Sequence, residues 1–447
     1  QIILKNGSKT FDKWENLPPI TMNFYFFEIT NGDDFKIGKK PHLLQRGPYV
    51  FEEIRRKKII NITDDGKQIT YQELKSFKFK KHASNGSLDD EISVLNIPAV
   101  SAPVVLKKTD PQRYPFAVQI LNGIMKESGE VLVMKRKVKE LLFDGYEVVF
   151  IVKLKEWAKK NPQFNVTVPG LPDDKFGFFY KKNCTLETQN CLDDFVFTIN
   201  SGIQKPENVG MFQLLNGSEY LKFWEGKECN KLGGTDGTRF HPSVTRKETL
   251  EIFNIDACRS LPLVFDTISS VKGIDLLRFS PAKQFYEAPN NNSLNRCYCV
   301  WNDSNACIYN GLVDLSRCQR LAPILASQAH FYGVSKEIKD RVVGLNPNRE
   351  LHESFVSMEP ITGLTMNAAR RGQINVDMPQ VEQISMLKDV SPAVVPIMWF
   401  DEQAIVDDAS ARQFKDEVQT KIRYGVGILI TVIIVGIVLI LTAIALI

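Results

Sequence analysis

Residues 425–447 read GVGILITVIIVGIVLILTAIALI, a run of 23 residues without one charged side chain. An α-helix rises about 1.5 Å per residue, so about 20 apolar residues cross the roughly 30 Å hydrocarbon core of a bilayer. A buried helix of this length would normally show a polar face. Lys421 and Tyr424 precede the run and suit the headgroup region. The run therefore predicts a membrane helix over 424–447, anchoring an ectodomain over 1–423.

The region before this run is long enough for one large domain or two of ordinary size. The formal net charge is +4, and no basic stripe interleaved with stacking aromatic residues is present, which argues against nucleic acid as a partner. The sequence begins at Gln1 without a charged and apolar leader. We expect an N-terminal membrane helix or signal, and the cytoplasmic tails, to be absent from this chain.

The cysteines indicate the compartment. All eight lie within one third of the chain, and the spacing of Cys297-Tyr298-Cys299 matches no two-knuckle zinc pattern and has no histidine pair beside it. Disulfides, which form in the secretory pathway, are therefore the better interpretation. The eight are Cys184, Cys191, Cys229, Cys258, Cys297, Cys299, Cys307 and Cys318.

Acceptor sequences for N-linked glycans, Asn-x-Ser/Thr, are spread along the region before the apolar run. One alone arises by chance, whereas several beside an even number of cysteines indicate a glycosylated ectodomain on the lumenal or extracellular side. Asn183 directly precedes Cys184, so a disulfide there would limit access to this acceptor. The acceptors are Asn6, Asn61, Asn85, Asn165, Asn183, Asn216, Asn291 and Asn302.

Short β-branched and aromatic runs separated by turn residues dominate the first hundred positions and predict antiparallel strands. These runs are 22–30, 49–53, 58–62 and 77–82. Strand and turn patterns return beyond Phe150, with further helices expected over 335–343 and 409–422. The last of these is expected to continue into the membrane helix without a linker. The chain therefore belongs to the α+β class.

The period changes over about 110–145, where a helical hairpin is predicted. Phe116, Ile120 and Ile124 are spaced for one face of a first helix. A second helix over about 130–143 would have one apolar and one basic side, and periodicity alone favours ordinary solvation of the basic side. The basic residues are Lys135, Arg136, Lys137 and Lys139.

Signatures of catalysis are missing from the sequence. It has no G-x-S-x-G elbow, no Walker phosphate loop, no H-E-x-x-H and no G-x-G-x-x-G that opens a helix. The histidines are not paired at metal-ligand spacing, and adjacent acidic residues would point to opposite faces of a strand. We therefore expect no enzyme activity, no metal and no cofactor, and favour binding or transport. An anchored hydrolase is the outside alternative, because catalytic carboxylates can lie far apart in sequence.

A series of short motifs stands in a fixed order along the chain. RGPYVF occupies 46–51, GLNPN occupies 344–348 and EPITG occupies 359–363. The further motifs are YFFE at 25–28, DACRS at 256–260, CYC at 297–299, HF at 330–331 and PIMW at 396–399. Their order and spacing resemble the class B scavenger receptor family, which includes the fatty acid translocase, the high-density lipoprotein receptor, a lysosomal integral membrane protein and insect sensory neuron membrane proteins.

The resemblance implies a large ectodomain with an antiparallel β-barrel-like core, an apical helical bundle and an internal hydrophobic tunnel leading toward the bilayer. It also implies three disulfides, joining Cys229 to Cys297, Cys258 to Cys318, and Cys299 to Cys307. Cys184 and Cys191 lie outside this six-cysteine pattern. Our hypothesis is that they form a fourth bridge closing a short loop.

In the family the apical helices carry ligand recognition, which the resemblance assigns here to the predicted hairpin. Phe116 matches an apical aromatic position, where it would contact ligand or pack against a helix. Lys126, Lys135 and Lys137 are the cations expected to bind anionic ligands. Glu127 departs from the basic residue that the fatty acid translocase carries at this turn.

The implied function is a scavenger receptor that binds hydrophobic ligands at the apex and passes lipid through the tunnel to the membrane. The expected partners are lipids, fatty acids, sterols or lipoproteins and the bilayer, with a protein ligand at the apex as an alternative. Two other functions remain open, a lysosomal trafficking receptor for a hydrolase and a chemosensory accessory protein delivering hydrophobic odorants. We expect the plasma membrane with an extracellular ectodomain, and a lysosomal membrane as the alternative.

Overall fold

A computed structural model describes residues 2–164, 170–185, 195–299, 301 and 303–445. The described residues combine a large sheet, two small sheets and several helices. The strands are β1 (Ile20–Ile29), β2 (Leu43–Ile62), β3 (Gln68–Phe79), β4 (Glu91–Leu95), β5 (Val133–Lys137), β6 (Tyr146–Glu147), β7 (Lys175–Phe176), β8 (Val196–Asn200), β9 (Phe212–Leu215), β10 (Leu250–Asn254), β11 (Arg259–Val271), β12 (Ile274–Pro281), β13 (Val313–Asp314), β14 (Ile324–Ser327), β15 (Phe355–Met358), β16 (Thr365–Met378) and β17 (Ala393–Ile405). The α-helices are α1 (Lys9–Glu15), α2 (Gly32–Lys36), α3 (Ile97–Thr109), α4 (Tyr114–Glu127), α5 (Val149–Lys160), α6 (Asn305–Ile308), α7 (Lys336–Lys339), α8 (Arg349–His352), α9 (Asp408–Phe414) and α10 (Thr420–Ala445).

The large sheet is antiparallel and runs in the order β10-β11-β12-β15-β16-β17-β1-β2-β3-β8-β9, with β13 and β14 attached beside β16. The prediction of antiparallel strands in the first hundred residues is confirmed. The predicted runs 49–53 and 58–62 are parts of one long strand, β2, whose bulge lies between Ile59 and Asn61 opposite β3.

A short segment nearly closes this sheet into a barrel by bridging its two end strands. The N–H of Phe212 in β9 donates to Gly234 O at 3.0 Å, and the N–H of Thr235 donates to Glu251 O in β10 at 3.1 Å. Gly234 has φ +80°, and a Cβ there would lie 2.5 Å from Glu251 O. Only glycine permits this close approach, so residues 233–237, which read GGTDG, form the seam of the barrel.

The helices α3, α4 and α5 pack at the end of the barrel away from the membrane helix. The first residues of β17, such as Ala393 and Val395, share one core cluster with these helices, whereas its last residue leads into α9. The 13-residue strand β17 is about 40 Å long, so its two ends lie far apart. The helices at its first end therefore form an apex opposite the membrane side. The predicted α+β class and barrel-like core are confirmed.

The C-terminal helix is confirmed as long and apolar enough to cross a membrane. A continuous helical stretch of 37 residues covers Asp408–Ile444, with a π turn at Lys415–Gln419 between α9 and α10. As predicted, no flexible linker separates it from the ectodomain. At its start α1 braces it, because Lys13 Nζ donates to Gln413 Oε1 at 2.6 Å.

The predicted second helix over 130–143 is wrong. This stretch contains β5, which pairs with β4, followed by a π turn at Glu140–Asp144. Leu132 and Met134 are buried at the two-residue spacing of a strand, while Lys135 is exposed. The edge of β4, distant in sequence, supplies backbone partners that local periodicity does not reveal.

The apical helices beside α4 lie where the sequence predicted no helix. In α3, Pro98 and Pro103 obscured the helical pattern. The expectation of strands beyond Phe150 is confirmed by β7 to β17 but is wrong for α5 itself, whose first residues are rich in β-branched side chains that favour strands. The helix expected over 335–343 is reduced to the four residues of α7.

Candidate ligand cavity and apical surface

A cavity of about 1280 Å³ lies inside the barrel. Phe212 and Phe253 line it beside the seam, and the cross-strand neighbours Ala368 and Ala404 line it on the opposite wall. Ligand clefts in proteins are commonly about 300–1,000 Å³. The barrel therefore encloses more space than a typical small-molecule site.

One end of the cavity reaches the helix that enters the membrane. Phe414, Val418 and Ile422 line it there. At the other end it is lined by Phe176, Phe178 and Phe179, and no described residue of α3, α4 or α5 contributes to the lining. The cavity is thus continuous with the membrane side of the ectodomain and is separated from the apical helices.

An aromatic cluster fills the space between the cavity and the apex. The ring centroid of Phe179 lies 5.1 Å from that of Phe24, 5.8 Å from that of Phe77 and 5.7 Å from that of Phe143. Phe51 joins the cluster through Phe143 at 5.2 Å. The rings pack edge-on or tilted, as aromatic pairs prefer.

Charged side chains form a belt across the cavity wall. Arg55 bridges Glu53 and Glu402, with N···O distances of 2.7 Å to each, and Arg370 pairs with Glu402 at 2.5 Å. Burial alone would raise the pKa of the Glu402 carboxyl, but the two guanidinium groups hold it well below its usual range. The belt is therefore ionised, and the lining of the cavity is not wholly apolar.

Phe116 is exposed on α4, with 55% of its surface accessible. Its ring stacks on that of Phe164 with centroids 5.4 Å apart, and Phe164 lies 5.4 Å from Trp157 of α5. The sequence left two roles open for Phe116, contact with a ligand and packing against a helix, and its position is compatible with both. It packs against a neighbouring helix and leaves one face open at the apex.

The three predicted lysines do not lie on one helical face. Lys126 lies in the last turn of α4, whereas Lys135 and Lys137 lie on β5. The Lys137 ammonium is 3.5 Å from Asp89, while Lys126 and Lys135 have no ion pair within the described part of the chain. Glu127, which departs from the family pattern, pairs with Lys153 of α5 at 3.1 Å. Whether these residues bind ligand stays a prediction.

Sequence reasoning missed the contribution of α5 to this surface. The helix reads VFIVKLKEWAKK and carries Lys153, Lys159 and Lys160 beside Trp157. The spacing of Phe150, Leu154 and Trp157 was the available helical signal, since these apolar residues recur every three or four positions. The apex therefore combines an exposed aromatic pair with several lysines.

Three disulfides with both cysteines among the described residues join the pairs that the resemblance implied. Their Cα atoms are 6.2 Å apart for Cys229–Cys297, 6.1 Å for Cys258–Cys318 and 5.5 Å for Cys299–Cys307. Cys184 is also disulfide-bonded. Cys191 lies outside the described residues, so the fourth pairing stays a prediction.

The described glycan acceptors are all exposed, as surface glycans require. They are Asn6, Asn61, Asn85, Asn183, Asn216 and Asn291. Asn165 and Asn302 lie outside the described residues. Asn183 differs in its contacts, because its amide accepts the N–H of Phe77 at 2.9 Å and donates to Phe77 O at 3.3 Å. Glycosylation itself stays a prediction at each position.

The ordered motifs have structural roles around the barrel. Arg46 pairs with Glu28 at 2.8 Å, joining RGPYVF to YFFE on β2 and β1. In EPITG, Glu359 accepts the N–H of Thr362 at 2.8 Å and so closes a tight turn. Trp399 of PIMW stacks on Tyr25 with ring centroids 4.0 Å apart.

Comparison with known proteins agrees with this architecture. A family model described as the CD36 family matches residues 1–447. Lysosome membrane protein 2 of Homo sapiens is 31% identical over 424 residues, covering 94% of this chain and 82% of that protein. Scavenger receptor class B member 1 of Sus scrofa is 28% identical over 421 residues, covering 93% and 77%. Sensory neuron membrane protein 2 of Anopheles gambiae is 27% identical over 505 residues, covering 96% and 86%.

Proposed function

The chain belongs to the CD36 family, and from this premise we propose that it is a scavenger receptor that captures hydrophobic ligands at its apex and passes lipid through the barrel to the membrane. The observation that carries the proposal is the position of the cavity. Its lower wall is formed by Phe414, Val418 and Ile422, on the helix that continues into the bilayer. Lipids, fatty acids, sterols and lipoprotein lipid are the ligand classes that suit such a path.

The physical advantage of this path is that the lipid tail avoids water. Each CH₂ group exposed to water costs about 0.8 kcal/mol, so a tail of roughly 16 carbons would cost more than about 10 kcal/mol. A cavity that ends at the bilayer removes most of this barrier. The protein then needs no covalent chemistry, only capture and a protected route.

Capture is assigned to the aromatic and basic surface of the apex. Phe116 and Phe164 offer a stacked, half-open aromatic pair, and Lys126 and Lys135 add cations without carboxylate partners among the described residues. Apolar contact with a ligand and attraction of an anionic lipid surface would then act together.

Transfer from the apex to the cavity requires the aromatic cluster to move. Phe179 lines the cavity and also contacts Phe24 and Phe143. Displacement of this ring would connect the apical side to the cavity without breaking the barrel ladders. Ring rotations and small segment shifts of this kind occur within the range of native fluctuations.

Narrowing the cavity tests the proposal. Ala404→Trp places an indole in the cavity wall, whereas Ile268→Trp adds the same side chain at an exposed position outside the lining. The full chain is purified in detergent, its bound lipids are identified by native mass spectrometry, and delivery of fluorescent lipid to cells is measured. We expect bound lipid and delivery to fall several-fold in Ala404→Trp and to stay unchanged in Ile268→Trp. Wild-type protein that carries no lipid would contradict the proposal.

We also propose that the ectodomain faces the outside of the cell at the plasma membrane. Exposed glycan acceptors and three disulfides support an oxidising, secretory-pathway side for this domain. Surface biotinylation of the full-length protein in intact cells tests the location. Labelling only after permeabilisation, with colocalisation to lysosomes, would favour the lysosomal alternative.

A further inference from the structure

Arg239 is a buried cation without a partner on the barrel wall. Its exposed fraction is 2%, and it lines the cavity. None of its three guanidinium nitrogens, Nε, Nη1 and Nη2, has a hydrogen-bond partner among the described residues. Buried charges in proteins are normally paired and hydrogen-bonded, so this group is an exception that needs an explanation.

The position of Arg239 is fixed by its backbone and its aliphatic stem. A β-bridge joins it to Leu364 at the edge of the barrel. Its Cγ atom packs over Gly210, where an added Cβ would lie 3.4 Å away. The guanidinium group is therefore held at the cavity without help from an ion pair.

The neighbouring acid is already engaged. Asp236 lies 3.3 Å from the ammonium group of Lys57 and accepts the N–H of Thr238 at 3.0 Å. Burial lowers the pKa of Arg239 to about 10, although Asp236 opposes the shift, so the guanidinium is still charged at neutral pH. The positive charge is present and is not neutralised by a direct contact.

Arg55, Arg259 and Arg370 differ from Arg239 in that each keeps at least one polar partner, although Nη2 of Arg55 and Nε of Arg259 have no hydrogen bond. Arg55 and Arg370 are both paired with Glu402. Arg259 donates to Asn295 Oδ1 at 3.2 Å and lies over the ring of Tyr298 at 3.5 Å from its centroid. The contrast indicates that the partner of Arg239 comes from outside the chain.

We infer that Arg239 is an internal anion subsite, which binds the carboxylate or phosphate head group of an amphipathic lipid lying in the cavity. The inference rests on the proposed function, because it assumes that lipid enters the barrel. Phe212 and Phe253, whose rings are 5.3 Å apart, lie on the wall at the seam beside it and offer apolar contact to the lipid tail. A guanidinium fork suits planar or tetrahedral oxyanions, since two N–H groups can donate in parallel.

The consequence is selection between lipids that share the same tail. An anionic amphiphile gains the contact with Arg239, whereas the neutral ester of the same acid must bury the guanidinium without a partner. The barrel would therefore hold acids more tightly than esters.

The test uses the full chain in phosphatidylcholine nanodiscs, with empty nanodiscs as the blank. Binding of palmitate and of methyl palmitate is compared for wild type, Arg239→Met, Arg239→Lys and Lys247→Met. Lys247 is the control, because it is an exposed cation of the ectodomain that does not line the cavity. We expect Arg239→Met to weaken palmitate binding at least about tenfold and to leave methyl palmitate within about twofold. Lys247→Met should change neither, and Arg239→Lys should be intermediate for palmitate.

Thermal unfolding of the lipid-stripped variants separates binding from folding. Arg239→Met removes an unpaired buried charge, so its midpoint should equal or exceed that of wild type. A lower midpoint would mean that the charge has a partner within the protein, which would overturn the inference.

The remaining outcomes are also decisive. Equal weakening of both probes, or no weakening of palmitate, would overturn the subsite while leaving the proposed function intact. Failure of wild type to bind either probe would overturn both. Inorganic phosphate, which has no tail, should not displace palmitate at millimolar concentration; displacement that depends on Arg239 would assign the site to a free anion and overturn its assignment to lipid.

Discussion

The imidazole rings of His330 and His352 stack with their centroids 4.3 Å apart and their planes at 16°. Each ring accepts a backbone N–H at Nδ1, from Asn346 at 3.1 Å for His330 and from Asn348 at 2.9 Å for His352. His330 Nε2 donates to Gln45 Oε1 at 2.6 Å. The two acceptor positions fix both rings as neutral tautomers with the proton on Nε2.

This stacked pair predicts a loss of stability on acidification. Burial, together with the adjacent His352, lowers the pKa of His330 to about 4, whereas an unfolded histidine has a pKa of about 6.5. Between these values the unfolded chain binds the proton and the folded chain does not, so the contribution is complete above pH 6.5 and falls as pH drops toward 4. At pH 5 we expect His330 alone to account for about 2 kcal/mol of lost stability.

The measurement is the thermal midpoint of the full chain between pH 6.5 and 5, a window above the titration of most carboxylates. The midpoint should fall with pH in wild type and should fall less steeply in His330→Asn. His82→Asn is the matched control, because His82 is exposed. A slope that is the same in all three proteins would show that the stacked pair does not control this pH dependence.

Gly344 is predicted to be irreplaceable by alanine. Its φ is +104°, and a Cβ there would lie 2.0 Å from Leu43 O. Gly344→Ala should therefore destabilise the fold by on the order of 3 kcal/mol and shift the segment that orients the histidine pair. Gly123→Ala is the control, since it is helical with no atom within 4 Å of the added Cβ, and it should stabilise slightly. Equal midpoints for the two variants in thermal unfolding would refute this reading of Gly344.

The apical cations predict salt-dependent capture of anionic ligands. The double variant Lys126→Glu with Lys135→Glu should weaken binding to vesicles rich in anionic lipid by about tenfold at 50 mM salt and by much less at 300 mM. Lys137→Gln should have a smaller effect, because Lys137 is already paired with Asp89. Flotation of the purified full chain with vesicles gives the affinities. Unchanged binding of the double variant at low salt would mean that these lysines are simply solvated.

Glycan occupancy is predicted to be uneven among the exposed acceptors. The amide of Asn183 is hydrogen-bonded to the backbone of Phe77 in both directions, and the adjacent Cys184 is buried. Asn6 is exposed in a turn and carries no such constraint. Peptide mapping by mass spectrometry after enzymatic deglycosylation should therefore find Asn6 occupied and Asn183 largely unmodified. Full occupancy of Asn183 would show that its hydrogen bonds form only after modification or not at all.

Sequence patterns predicted the features that depend on a long apolar run, on local residue spacing or on the order of short motifs along the chain. The membrane helix, the strand β1 and the ordered motifs were all readable in this way. The structure of the stretch 130–143 was not predicted. Its apolar spacing fits a helix, and the sequence does not reveal that β4 pairs with it to form a strand. The two prolines of α3 hid a helix that tertiary packing stabilises.

The candidate site was harder to predict than the fold. Glu402 and Arg55 are 347 positions apart in the sequence, yet they form an ion pair at 2.7 Å. The guanidinium group of Arg239 is unusual because it has no hydrogen-bond partner among the described residues, and no single-residue pattern encodes such a missing partner. Phe116, Lys126 and Lys135 were named in advance as apical side chains, and all three are exposed.

The helical stretch from Asp408 to Ile444 joins the membrane span to the ectodomain, so the thickness of the bilayer can change the orientation of the ectodomain. An apolar helix tilts when its length and the thickness of the surrounding hydrocarbon do not match. Because this helix runs without a linker through the π turn at Lys415–Gln419 into α9, and α1 contacts its start through Lys13 and Gln413, we expect that tilt to be transmitted to the ectodomain. The lower opening of the cavity would then rise or sink toward the headgroups as the protein moves between thin and thick membranes.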